Sequence, residues 1–141
     1  MTPLQLAMRF VGEIHEQPLG LQHPLIQWWL SLCGFGFDAA DEIPWCSAFI
    51  NGIAWELRLP RSKSAAARSW LGIGTAVDIS LARAEADVVI LKRGTNPIQG
   101  HVGFFAGAEN GTVRLCGGNQ ADGVTIASFP VDRVVGVRRL T

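Results

Sequence analysis

The chain has 141 residues, 48% of them apolar, and a mean hydropathy of +0.23, which suits one core and excludes a disordered tail protein. Twelve Lys and Arg balance twelve Asp and Glu, so no broad positive field exists to hold a phosphate backbone, and nucleic acid is not an expected partner. No apolar run approaches the roughly 18 residues of a membrane span, and the first residues, Met1 to Gln5, lack the charged and apolar regions of a secretory signal; the expectation is a chain made in the cytoplasm with no integral membrane segment.

Thr2 and Pro3 read as a helix cap and first turn, and Leu4, Ala7, Val11 and Ile14 continue at helical spacing to about Glu16. The stretch from Gln17 to Gly20 breaks that helix. Pro24 opens a second one carrying Leu25, Trp28, Trp29 and Leu32, with Gly34 as its stop, and a loop with Asp38, Asp41 and Glu42 follows. After Pro44 and Trp45 a third helix begins near Cys46 and sets Phe49, Ile50, Ile53 and Leu57 on one stripe before Pro60. Ser64 caps a fourth helix over Ala65 to Leu71.

From about residue 87 the apolar period changes from that of a helix to two. Five strands are predicted: Asp87 to Arg93, His101 to Gly107, Thr112 to Cys116, Gly123 to Ala127 and Val134 to Arg139. Glu109-Asn110-Gly111 and Asp122-Gly123 supply hairpin turns. Helices first and a meandering antiparallel sheet afterwards predict an α+β fold, and with no linker or repeat in view a single domain spans 1–141.

Cys33, Cys46 and Cys116 are widely spaced, without a Cys-x-x-Cys or a histidine pair, so no metal site and no cofactor are expected. Cys46 stands apart because it starts a helix. Unpaired backbone N–H groups and the positive end of the helix dipole favour thiolate there, and the same N–H groups can stabilise an oxyanion during acyl transfer. A cysteine packed into the core from the first turn is the alternative reading.

A nucleophilic thiol needs a proton acceptor that later protonates the leaving amine. His15 and His23 read as solvated residues near helix ends. His101 opens a strand, on one face with Gly103 and Phe105, and Gly103 would leave space beside the imidazole. An orienting partner is expected on the next strand, where counting by twos puts Val113, Leu115, Gly117 and Asn119 on one face and Cys116 on the other. Asn119 could then meet His101, although a bulge at Gly117-Gly118 would reverse the faces. A plain turn residue is the alternative for Asn119.

Four blocks carry a resemblance: Asp41 to Asn51 around Pro44-Trp45-Cys46-Ser47, Ser64 to Leu71, Gly100 to Phe105, and Gly117-Gly118-Asn119-Gln120. Their order and spacing resemble the papain-like peptidoglycan hydrolases, in particular the phage-associated group related to CHAP (cysteine, histidine-dependent amidohydrolase/peptidase) and NlpC-type domains. The resemblance covers about Leu4 to Arg139. It implies a papain-like/NlpC-type core with N-terminal helices packed on an antiparallel sheet of about five strands. It also implies Cys46 as nucleophile, His101 as general base and Asn119 as the third, polar member.

Glu42, four residues before Cys46, is an alternative orienting or substrate-contacting group, and Gln120 another. Trp45, Ser69 and Trp70 are candidate walls of a substrate groove, whereas Trp28, Trp29 and Trp55 are assigned to packing. Arg58, Arg61, Lys63 and Arg68 form a basic stretch that reads either as a solvated face or as an attractor for an anionic wall. The sequence departs from the group at Ala86-Asp87, where a Gly-Asp pair commonly opens the first strand.

The implied activity is cleavage of an amide in the stem peptide or muramoyl-peptide linkage of bacterial peptidoglycan, as in an endolysin. Such an enzyme would reach the wall with help from a holin, a phage tail or a secretion machine. A catalytically silent wall-binding module on the same fold and a cysteine transamidase are the competing readings, and a glycosidase using Asp41 and Glu42 would be considered only if glycan strands were cut.

Overall fold

The computed structural model describes residues 1–17, 23–37 and 43–141. Helix α1 (Pro3–Met8) opens on a reciprocal cap: the Thr2 hydroxyl accepts the Gln5 N–H at 3.1 Å, and the Gln5 side chain accepts the Thr2 N–H at 2.9 Å. It stops well before Glu16. Gly12 donates to the Val124 carbonyl, Val124 donates to that of Ile14, and His15 bridges Gly123, so pairing with a later strand takes residues whose spacing predicted a helix. His15 is thus strand-like, not a helix terminus.

Helix α2 (Pro24–Ser31) is capped by the His23 ring, whose Nδ1 accepts the Leu25 N–H at 3.1 Å, a structural task for a residue expected to be solvated. Its buried stripe is Ile26, Trp29 and Leu30, with Leu25 outside. Helix α3 (Cys46–Glu56) begins where predicted and is buried from Cys46 through Ala54. The predicted fourth helix is a 3-10 segment, Ala67–Gly72. Ser64 is not its cap; the Ser64 hydroxyl closes a local turn by accepting the Ala66 N–H at 3.1 Å.

Six strands follow: β1 (Thr75–Val77), β2 (Asp87–Arg93), β3 (Asn96–Glu109), β4 (Thr112–Gln120), β5 (Gly123–Pro130) and β6 (Val134–Arg139). They form one open antiparallel sheet in the order β1-β6-β2-β3-β4-β5, and the fold is α+β. Strand β1, the additional one, has three residues and pairs with β6 through Thr75↔Arg139, too short for alternation to reveal it. Asn110 and Gly111, both at positive φ, make the β3–β4 turn, and Ala121 and Asp122, also at positive φ, make the β4–β5 turn one residue earlier than predicted.

Period-two alternation gives the sheet two apolar faces. Val88, Ile90, Val102, Phe104 and Cys116 pack with α3 and with Trp29 of α2; Val89, Leu91, Phe105, Val113, Leu115 and Val137 form a second cluster on the opposite face. Cys116 and Leu115 therefore lie on opposite faces, as expected. Phe49 and Trp29 meet edge to face at 5.0 Å, and Trp29 stacks on Trp45 at 6.1 Å, so three aromatic side chains lock the start of α3 to α2. Trp55, assigned to the core from its spacing, is 46% exposed and stands edge-on to half-buried Trp28 at 5.1 Å.

Candidate active site

Cys46 is the first residue of α3, and no side chain caps that terminus. Trp45 before it is wholly buried, donating its indole N–H to Glu16 Oε1 at 2.8 Å. A side chain at Gly118 could not coexist with this ring: a Cβ there would stand 2.6 Å from Trp45 and 2.8 Å from Phe49. The close approach of the glycine backbone seats the helix start against β4.

The backbone N–H groups of Val102, Ser47 and Cys46 itself bear on the sulfur and, with the charge of Arg93, favour thiolate. Burial opposes them and is the largest influence; the thiol is only 4% exposed and its pKa is raised. The expectation of a resting thiolate is therefore corrected. Helix-end N–H groups surround the sulfur as predicted, but excluding water from it costs more than they return.

His101 is 2% exposed on β3. Its Nε2 lies 2.8 Å from Gln120 Oε1. The Gln120 amide nitrogen donates to the carbonyls of Thr125, at 2.9 Å, and Leu115, at 3.3 Å. Carbonyls can only accept, so the amide oxygen must face the imidazole, and Nε2 must carry the proton that it receives. The other nitrogen, Nδ1, is buried without a hydrogen-bond partner among the described residues. It is a bare lone pair, the form a general base requires.

Burial pushes the His101 pKa down to about 4; the Gln120 bond opposes that shift, and the charges of Arg93 and Arg133 add to it. At neutral pH the ring is uncharged.

The residue beside His101 is therefore Gln120 and not Asn119. The β4–β5 register shifts between Gly117 and Gln120, and Asn119 takes positive φ within that irregularity. This bulge interrupts the alternation, so the count by twos fails after Gly117. Asn119 lines the same cleft as His101 but makes no side-chain hydrogen bond among the described residues. Nor does Gly103 leave room for the imidazole, since Leu115 fills that space, 2.8 Å from where a Cβ would stand.

The predicted groove walls are also reassigned. Trp45 and Trp70 are fully buried, the latter donating its indole N–H to Ser47 Oγ at 2.8 Å. Half-buried Ser69 donates its hydroxyl to the Ala66 carbonyl at 2.6 Å. Apolar rings near the thiol were needed to build the helix start, which leaves none for a groove. Instead a cleft of about 220 Å³ beside Cys46 is walled by Pro44, Ala65, Ala66, Arg93 and Ile98.

Two polar networks hold that rim. Asn51 accepts the Lys63 N–H at 2.9 Å and donates to the Ser47 carbonyl at 3.0 Å, and Ser47 Oγ donates to the Ser64 carbonyl at 2.6 Å, fixing the 62–66 segment to α3. Arg68 Nε donates to the Gln99 carbonyl at 2.9 Å, tethering the β2–β3 hairpin; this member of the basic stretch has a structural task. Glu42 and Asp41 lie outside the described residues.

The N–H that reaches Cys46 belongs to Val102, the residue after His101, but alternation turns the His101 ring to the other face of β3, where it pairs with Leu91 and meets Phe129. No hydrogen bond joins the sulfur to the ring itself. A second cleft, of about 280 Å³, lies on the His101 side, and Arg93 lines both. Arg93 went unnoticed in the sequence because an arginine ending a strand carries no motif.

No protein-family model and no curated protein matches this chain. Among the described residues, no group of three His, Cys, Asp or Glu side chains could hold a metal ion, and no helix is long and apolar enough to cross a membrane.

Proposed function

We propose that the protein is a papain-like cysteine amidase or endopeptidase, of the CHAP/NlpC kind, acting on bacterial peptidoglycan. The observation that carries the reading is the fixed tautomer of His101, with Nδ1 unpartnered among the described residues, in a cleft that shares Arg93 with the cleft of Cys46. A histidine kept only for packing would gain from a second hydrogen bond, because a buried nitrogen without one costs about 1–3 kcal/mol.

In the reaction, Cys46 Sγ attacks the amide carbonyl as its proton passes to His101 Nδ1, a transfer that requires the buried ring to come round to the thiol from the other face of β3. The N–H groups of Cys46 and Ser47 support the oxyanion. The C–N bond then breaks, and Nδ1 returns the proton to the departing amine, leaving a thioester on Cys46. Water attacks the thioester, gives a proton to Nδ1, and releases the free carboxylate and the thiol. The raised thiol and lowered imidazole keep the pair uncharged at rest, so charge separation occurs only as the carbonyl accepts it.

The chain on this reading is made in the cytoplasm and meets its substrate after release through a holin, on a phage tail or through a secretion machine. Burial of the thiol favours one competing reading, a catalytically silent wall-binding module. Digestion of purified muropeptides by the wild type and by Cys46→Ala separates them. The wild type is expected to give fragments with a new free carboxyl, and the variant is expected to bind but not cut. Binding by the wild type without cleavage would support the silent module, and a new amide in place of the carboxyl would indicate transamidation.

A further inference from the structure

The two clefts share a feature that amide hydrolysis does not require. Among the described residues lining them, the only permanently charged side chains are Arg93 and Arg133, and no Asp or Glu is present. The one ion pair among the described residues, Arg139 with Asp87, involves neither.

The exposed Arg93 side chain has no hydrogen-bond or ion-pair partner among the described residues, though it stands at the junction of both clefts. Arg133 is held ready: its Nε donates to the Lys92 carbonyl at 3.2 Å, and its guanidinium lies 5.3 Å from the centre of the Phe129 ring. Phe129 in turn stacks obliquely on His101 at 5.3 Å.

In a chain whose formal charges cancel, two guanidinium groups at one imidazole, with no carboxylate beside them among the described residues, are a local arrangement rather than a consequence of composition. Both groups line the cleft with His101 and add to the lowering of its pKa. A positive charge there handicaps the base unless something negative is bound when it works.

We infer that Arg93 and Arg133 bind a carboxylate of the substrate, and that this carboxylate belongs to the fragment leaving with the amine. The side follows from the geometry: Arg133 lies in the His101 cleft, away from the Cys46 cleft, and the group that His101 protonates is the departing amine. Guanidinium presents paired donors that match a carboxylate. The bound carboxylate also offsets the two positive charges, so the imidazole becomes a stronger base once substrate is in place. Specificity and activation are thereby linked through one contact.

This inference rests on the proposed hydrolase reading, and its test separates the two. Paired stem peptides are compared, with a free carboxylate or a carboxamide in the leaving fragment. The wild type is expected to prefer the acid by about five- to tenfold in kcat/KM. Arg93→Gln and Arg133→Gln should each erode the preference, mainly through KM, whereas Arg83→Gln, in the separate cleft beside Glu85, should preserve it. Equal turnover of both peptides by the wild type overturns the inference while leaving the hydrolase reading intact.

Should neither peptide be cut, alkylation of Cys46 still decides. The ratio of iodoacetate to iodoacetamide rates, normalised to a free thiol, should exceed one and fall in Arg93→Gln. A ratio of one, or a Cys46 that neither reagent reaches, overturns the inference.

Discussion

At the scale of single residues, the proposed chemistry depends on which nitrogen of His101 carries the proton. Gln120 settles it because its own amide is fixed by backbone carbonyls, and a leucine there would remove both the acceptor and the constraint. Gln120→Leu is expected to lower kcat by about 100-fold with little change in KM, the loss associated with a base free to adopt the wrong tautomer. Gln120→Glu should raise the His101 pKa and shift the acid limb of the rate profile upward, a response that a purely structural glutamine would not give.

The ring also ties stability to pH. Its pKa is 6.5 when free and about 4 when folded, so the folded state resists protonation. Stability should be full above pH 6.5 and fall by about 3 kcal/mol as pH drops toward 4, measured by urea unfolding at stepped pH. Cys46 was legible because a helix start leaves a mark in sequence; His101 was singled out as the opening residue of a strand, whereas β3 begins five residues earlier, at Asn96. Asn119 was preferred to Gln120 because the count by twos assumes an unbroken strand; the bulge at Gly117-Gly118, recognised as the feature that would reverse the faces, is present and turns Gln120 inward.

At the scale of elements, α3 carries the site, and its apolar period was sufficient to predict both its start and its extent. Its contact with α2 has a more particular requirement. A Cβ at Gly52 would lie 2.2 Å from Trp29 Cδ1, so the indole packs directly on the helix backbone. Gly52→Ala should therefore destabilise the fold by roughly 2 kcal/mol or more, despite alanine's helix preference of about 1 kcal/mol, as thermal unfolding would measure. The first helix was overread for a related reason. Val11 and Ile14 have helical spacing, but the exposed edge of β5 competes for their backbone, and tertiary pairing wins.

For the whole molecule, the sheet separates two apolar clusters, and its far side is closed by a charged clamp. Asp87, at the start of β2 and almost wholly buried, accepts Arg139 Nε at 2.8 Å and Nη2 at 2.9 Å, as well as the Arg83 N–H at 2.7 Å. It ties the end of β6 to the strand that pairs with β3. Asp87→Ala leaves the Arg139 guanidinium and the Arg83 N–H without their acceptor and is expected to lower the midpoint of thermal unfolding.

The α+β class and four meandering strands were legible from the change of period. The return of β6 to β2 and the edge strand β1 were not, because both depend on pairing between distant segments.

On the proposed reading, Cys46 becomes covalently acylated by a wall peptide with His101 as its base. Acid-quenched turnover of purified muropeptides, read by intact-protein mass spectrometry, tests it directly. A thioester of the retained peptide fragment is expected on Cys46, absent in Cys46→Ala and strongly reduced in His101→Gln. Muropeptides cut at an undiminished rate by Cys46→Ala, or left uncut by the wild type with no adduct formed, would contradict it.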